Sequence, residues 1–148
     1  MAYKNATSTY KETKVKTASQ GQLIIMLYDE AVRQLNLAIE MLESKDKDDK
    51  FTGKIEPLGK AVMKAEEIIT ELMVSLDFEQ GDEIAKNLFS LYSWFNRELL
   101  EANIAQDLER IKNVRSMLLE LRNTWDEIIK KHAARPANQG TVGLNIAG

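Results

Sequence analysis

Apolar and small residues recur along most of this chain at alternating spacings of four and three, and each such run predicts one amphipathic helix. The first run is Ile24, Tyr28, Ala31, Leu35, Ala38 and Leu42. It opens at Ser19, which with Gln22 makes an S-x-x-Q capping box able to satisfy two free amides at a helix start, and it is expected to reach about Ser44. The second run is Leu58, Val62, Ala65, Ile69, Leu72 and Leu76. Pro57 fits its first turn, where a missing amide costs nothing, and Gly59 lowers local propensity by roughly 1 kcal/mol. After a break at 77–81 the third run takes in Ala85, Leu88, Tyr92, Phe95, Leu99 and Ala102, and its helix is expected to end near Ile104. Asp107 is a plausible N-cap for the fourth and longest run, Ile111, Val114, Leu118, Leu121, Trp125, Ile128 and His132, which Pro136 stops.

Four such helices with mostly short connections predict an all-α fold, an antiparallel up-down-up-down four-helix bundle over residues 19–135, because a short turn returns the next helix alongside the last. Residues 1–18 are polar and rich in Lys, Thr and Ser and read as a flexible N-terminal arm. The stretch SKDKDDKFTGK at 44–54 mixes both charges without periodicity and reads as an exposed connection. Residues 136–148 carry three glycines and no pattern, and a disordered tail is expected there.

A four-helix core needs one stripe per helix, yet these helices carry further large apolar residues turned away from those stripes. They are Leu23, Met26, Leu37 and Met41 on the first helix; Met63, Ile68 and Val74 on the second; Phe89, Trp94 and Leu100 on the third; and Met117, Leu119 and Ile129 on the fourth. Many belong to the flank of a core face wider than a coiled-coil seam. The rest are candidates for grooves that take an amphipathic helix of another protein, a task for which adaptable methionine side chains are suited. Leu23, Met26, Met63, Ile68, Phe89, Trp94, Leu100 and Met117 are the candidate binding residues, with Trp94, roughly opposite Phe89, the foremost.

Composition narrows the chemistry. The 148 residues are 44% apolar and 29% charged, enough for one domain with its own core. The absence of cysteine excludes disulfides, iron–sulfur clusters and thiol catalysis. His132 is the sole histidine, and Ile129 stands three residues before it, so the paired Glu-x-x-His motifs of a di-iron bundle are missing. His132 itself reads as a structural cap or core edge near the helix C-terminus. Glu66 and Glu67 are neighbours that do not share a helix face and read as solvated surface. Gly140 and Gly143 follow no strand and precede no helix, so no phosphate loop is expected. With 20 basic against 23 acidic residues the chain lacks the footprint of a nucleic-acid binder. No apolar run suffices for a signal peptide or membrane insertion, which makes the cytoplasm the default location. No cofactor, metal or catalytic site is expected. What remains is a helical binding module, or a structural homo-oligomer in which the surplus stripes pack against a second copy.

Three strings add to this reading: TASQGQLIIMLYDEA at 17–31, EIAKNLFSLYSWFNRELLEANIAQD at 83–107 and LLELRNTW at 118–125. In order and spacing they resemble the flagellin-specific export chaperones of the FliS family, from Tyr10 to about Trp125. The resemblance implies a chaperone that binds the C-terminal helical segment of flagellin around the bundle, prevents its premature polymerisation and delivers it to the flagellar export gate. It implies no cofactor. It also implies that the arm covers part of the binding surface in the free protein, anchored by Tyr10. Gln20 and Gln22 stand where the family often has proline and glutamate, and Thr7 where a second arm aromatic is frequent. Threonine buries far less apolar area than an aromatic ring, so a weaker self-docking arm is expected. A weak homodimer is compatible with the same exposed stripes.

Overall fold

The computed structural model describes residues 19–44 and 55–133. The arm with Tyr10, most of the connection after the first helix and the tail lie outside the described residues. Four helices follow in order: α1 Gln20–Glu43, α2 Ile55–Val74, α3 Phe78–Ala105 and α4 Leu108–Ala133. Each packs on its neighbours in a closed ring, α1 on α2, α2 on α3, α3 on α4 and α4 on α1.

Side-chain pairs fix the directions. Asp29 meets Arg122, Asn36 meets Arg115 and Glu43 meets Lys112, so α1 and α4 are antiparallel. Gly59 faces Asn103 and Thr70 faces Asn96, so α2 and α3 are antiparallel as well. The turn of two residues between α3 and α4 reverses the chain once more, which gives the expected up-down-up-down bundle.

The helix ends are set locally. Ser19 Oγ accepts from the Gln22 amide and Gln22 Oε1 accepts from the Ser19 amide, both at 3.1 Å, so the capping box forms as read from the sequence. Asp77 Oδ1 accepts from the amides of Glu79 and Gln80 at the start of α3. Gln106 ends α3 in the left-handed conformation, and Asp107 Oδ1 then accepts from the Arg110 amide to start α4.

Two boundaries differ from expectation. α2 stops at Val74, with Leu76 buried beyond its end. The expected break at 77–81 is instead a helical turn closed by the Gly81 amide on the Asp77 carbonyl. The break falls one residue later, at Asp82, whose φ of 44° and ψ of −117° interrupt α3.

The core holds nearly every stripe position. Tyr28, Leu35, Leu58, Val62, Ile69, Leu72, Phe95, Leu99, Ile111, Val114 and Leu118 are the largest fully buried side chains. Burying one such aliphatic side chain is worth roughly 1.5–3 kcal/mol, which is why the 3.5-residue stripe dictates which face turns inward. The stripe positions that stay partly open are Leu121, Ile128 and His132, all on the second half of α4.

Candidate functional site

Those three residues mark a groove. Together with Trp125 and Thr124 of α4 and Ile84 and Leu88 of α3, they line a half-open cavity of about 280 Å³. That is on the order of two benzene-sized groups, given that a cavity of about 150 Å³ holds one. The break in α3 at Asp82 lies just before Ile84, the first α3 residue of the wall. Ile84 is 49% exposed on one wall, whereas Trp125 at 7% forms the floor. His132 stands at the rim, and its Nδ1 is shielded from solvent without a hydrogen-bond partner.

Behind the floor lies a polar chain inside the apolar core. The Trp125 Nε1–H donates to Tyr28 Oη at 3.2 Å, and the Tyr28 and Tyr92 hydroxyls share a hydrogen bond of 2.5 Å. Burial pushes the pKa of both phenols up, that of Tyr92 to about 12, so both hydroxyls keep their protons. Aromatic contacts continue outward from Tyr92 to Phe95 and from Phe95 to Trp94.

A second apolar surface follows the outer seam of α2 and α3. Gly59, Met63, Glu66 and Thr70 form one row at helical spacing, and Asn96, Leu100 and Asn103 form the facing row. Asn96 Nδ2 donates to Thr70 Oγ1 at 3.1 Å, and Asn103 lies within 4 Å of where a Gly59 Cβ would be, which sets Met63 across from Leu100. Both are about half exposed. Ile55 and Ile104 extend this surface at one end; at the other, exposed Val74 is followed by Phe78 and Phe89, whose rings meet edge-on at 5.8 Å. Glu66 is half-buried rather than fully solvated, and burial beside Glu67 raises its carboxyl pKa.

The candidate residues divide accordingly. Met63, Phe89 and Leu100 are exposed on the α2–α3 face. Leu23 and Met26 are half-exposed on the first turns of α1. Trp94 and Met117 are half-buried and packed against the core, so they are flank more than groove. Ile68 is a correction: at 5% exposure it belongs to the core, because the buried arc of α2 takes in Ala61, Ala65, Ile68 and Ile69 side by side. The eight residues do not converge on one surface. Ile84, Leu121, Ile128 and His132 line the groove but were absent from the candidates, since their positions read either as ordinary core stripe or as an unremarked neighbour of it. The extension of the α4 stripe one turn beyond the start of the α3 stripe was the available signal.

Among the described residues no helix is long and apolar enough to cross a membrane, and no group of His, Cys, Asp and Glu could hold a metal ion. Both apolar surfaces suit a partner's side chains better than a reaction.

Comparison with known proteins agrees with this. The chain matches the family described as Flagellar protein FliS over residues 3–132. It is 38% identical over 121 residues to the flagellar secretion chaperone FliS of Salmonella typhimurium (strain LT2), covering 81% of this chain and 84% of that protein. To the flagellar secretion chaperone FliS of Escherichia coli (strain K12) it is 35% identical over 116 residues, 78% of this chain and 80% of the other. The flagellar secretion chaperone FliS of Bacillus subtilis (strain 168) is 27% identical over 144 residues, 97% and 99% of the two chains. With a helical bundle, open apolar surfaces and these relatives, the chain belongs to the FliS family of flagellar secretion chaperones, a family of chaperones and not of enzymes.

Proposed function

We propose that this protein binds the C-terminal helical segment of flagellin in the cytoplasm, keeps it from polymerising early and hands it to the flagellar export gate. The observation that carries this reading is the open stretch of the α4 core stripe, Leu121, Ile128 and His132, where the other stripe positions of the described helices are buried. A client helix laid against Ile84 and Trp125 completes the packing that α3 leaves unfinished, and a second client segment suits Met63 and Leu100 on the α2–α3 seam. Leu23 and Met26 lie at the same end of the bundle as the groove, where α1 begins and α4 ends.

The physical logic is one of exchange. A segment built for helix-on-helix contacts in a filament presents apolar stripes that self-associate when free. Folding it onto a chaperone removes those stripes from water, and the ordering entropy lost by the client keeps the complex specific yet releasable.

Titration with a peptide of the flagellin C-terminal helical segment tests this, read by tryptophan fluorescence and by helical circular dichroism. Saturable binding with a gain in helix is expected. No binding well above micromolar concentration, with a concentration-dependent dimer that buries tryptophan in sedimentation, would replace this reading with the structural homo-oligomer.

A further inference from the structure

We infer that the buried hydroxyl chain Trp125–Tyr28–Tyr92 is a positioning device that holds the Trp125 indole as the floor of the α3–α4 groove, so that two tyrosines a client never touches set how well the groove receives it. The inference rests on the client reading above for its functional half. Its structural half rests on the geometry alone.

Three observations carry it. First, Trp125 faces two ways: its ring lines the groove, and its Nε1–H donates inward at 3.2 Å to Tyr28 Oη. Tyr28 has no exposed surface and Tyr92 has 2%, so no water replaces the indole N–H as the donor to Tyr28 Oη if that bond breaks. A rotation of the ring about either side-chain torsion gives up this bond and leaves the buried hydroxyl pair without its donor, and that penalty favours the one orientation.

Second, the chain joins three helices. Tyr28 lies on α1, Tyr92 on α3 and Trp125 on α4, and α1 and α3 are diagonal partners in the ring. The hydroxyl pair ties α1 to α3 across the core, and the Trp125 bond adds α4, so the whole chain joins the two walls of the groove to the helix behind them. Ile84 on the groove wall lies just past the break at Asp82, whereas Tyr92 lies nearly three turns further along the resumed helix, so the hydroxyl chain anchors α3 in its continuous part.

Third, the location is otherwise a poor place for polar groups. The surrounding core is aliphatic and aromatic, and volume-conserving replacement of a tyrosine by phenylalanine would retain ring packing while deleting the polar atom. A hydrogen-bonded chain in such surroundings specifies one arrangement among several of similar packing. The arrangement specified here is the one that exposes the indole face to the groove.

The two hydroxyls are not equivalent. Removing the Tyr28 hydroxyl deletes the acceptor of Trp125 directly. Removing the Tyr92 hydroxyl leaves that acceptor in place and takes away its neighbour, together with the weaker attraction that the Tyr92 hydroxyl itself has for the Trp125 N–H. The order of effects is therefore Tyr28→Phe first and Tyr92→Phe second.

The experiment uses the full chain, its Tyr28→Phe and Tyr92→Phe variants, and Val62→Ala as a destabilised control in the core of α2 outside the hydroxyl chain. Two readouts are taken. Without client, the Trp125 indole ¹H–¹⁵N resonance and the ring's NOE contacts to Leu88 and Leu121 report its orientation. With the flagellin C-terminal peptide, titration reports affinity. Tyr28→Phe is expected to shift the indole resonance, weaken the ring contacts and reduce peptide affinity by about fivefold, the factor that one lost net hydrogen bond corresponds to. Tyr92→Phe is expected to do the same to a smaller degree, about twofold, and Val62→Ala to leave both readouts within error of the parent. Unchanged ring contacts in Tyr28→Phe overturn the positioning role, and so does an affinity loss no larger than that of Val62→Ala. If the parent chain itself fails to bind the peptide, the client reading falls, while the ring contacts still decide whether the hydroxyl chain positions Trp125.

Discussion

The seam between α3 and α4 is closed at one end and open at the other, although the same two helices form both. At the closed end the chain passes from α3 to α4 through Gln106 and Asp107, and Leu99, Ala102, Ile111 and Val114 behind the turn are fully buried. Arg110 lies over this end, with Glu101 at 3.0 Å, Asp107 at 3.6 Å and Glu98 at 3.8 Å. At the open end the helices are far from their turn, α3 is interrupted at Asp82, and residues of the same heptad pattern stand in a groove. The open end of the seam thus lies beside a change in backbone direction. The side chains that line it are of the kind that fill the core elsewhere.

Four substitutions, with a fifth as control, probe that contrast. The largest effect is expected for Trp125→Ala, which removes the floor of the groove and part of the core together; urea unfolding should show a loss of about 3–5 kcal/mol. A loss under about 1 kcal/mol would mean that the ring belongs to the surface alone. Next, Ile84→Glu places a charge on the exposed wall, and calorimetry with the flagellin peptide should record a loss of about tenfold or more with the unfolding midpoint nearly unchanged. Leu119→Glu, 37% exposed elsewhere on α4, should leave affinity within about twofold.

Third, Asp82→Gly places at φ 44° and ψ −117° the one residue free of a Cβ clash there, and a stabilisation of about 1 kcal/mol is expected in denaturant titration. Destabilisation would show that the Asp82 side chain, 3.9 Å from Lys86, holds the break instead of enduring it. The smallest effect belongs to Arg110→Ala at the closed end. Arg110 and its nearer partners Glu101 and Asp107 are well accessible to solvent, so the cost should stay below about 1 kcal/mol and shrink in about 1 M salt. A larger, salt-insensitive cost would assign the closure to charge instead of to Leu99 and Val114.

Much of the fold was legible because a bundle helix advertises its inner face. Burial of Ala31, Leu35, Ile69, Phe95 and Leu118 follows from spacing alone, and the Ser19–Gln22 box marks its own helix start. The site was legible only in part. Ile68 was assigned to the wrong side because the buried arc of α2 is wider than a two-position seam. Trp94 was assigned to a groove although its ring packs on Phe95, since spacing gives an angle around the helix and says nothing of how far a large ring folds back onto the core. Ile128 and His132 presented the opposite problem. Their spacing is that of core residues, and whether a core position is covered depends on the facing helix. Here the facing part of α3 starts at the break at Asp82, which Gly81 foreshadows without fixing the residue at which the chain turns.

The brevity of the connections between α2 and α3 and between α3 and α4 has a kinetic consequence. Three residues separate the first pair and two the second, so much of the packing joins segments close in sequence, and only the meeting of α1 with α4 closes a long loop. Helical domains of such low contact order fold in about microseconds to milliseconds, whereas a ribosome adds roughly 5–20 residues each second. A newly released copy is therefore folded within the time taken to add a single residue to another chain. A partner whose binding segment lies at its C-terminus, and so leaves the ribosome last, meets a chaperone that is already waiting.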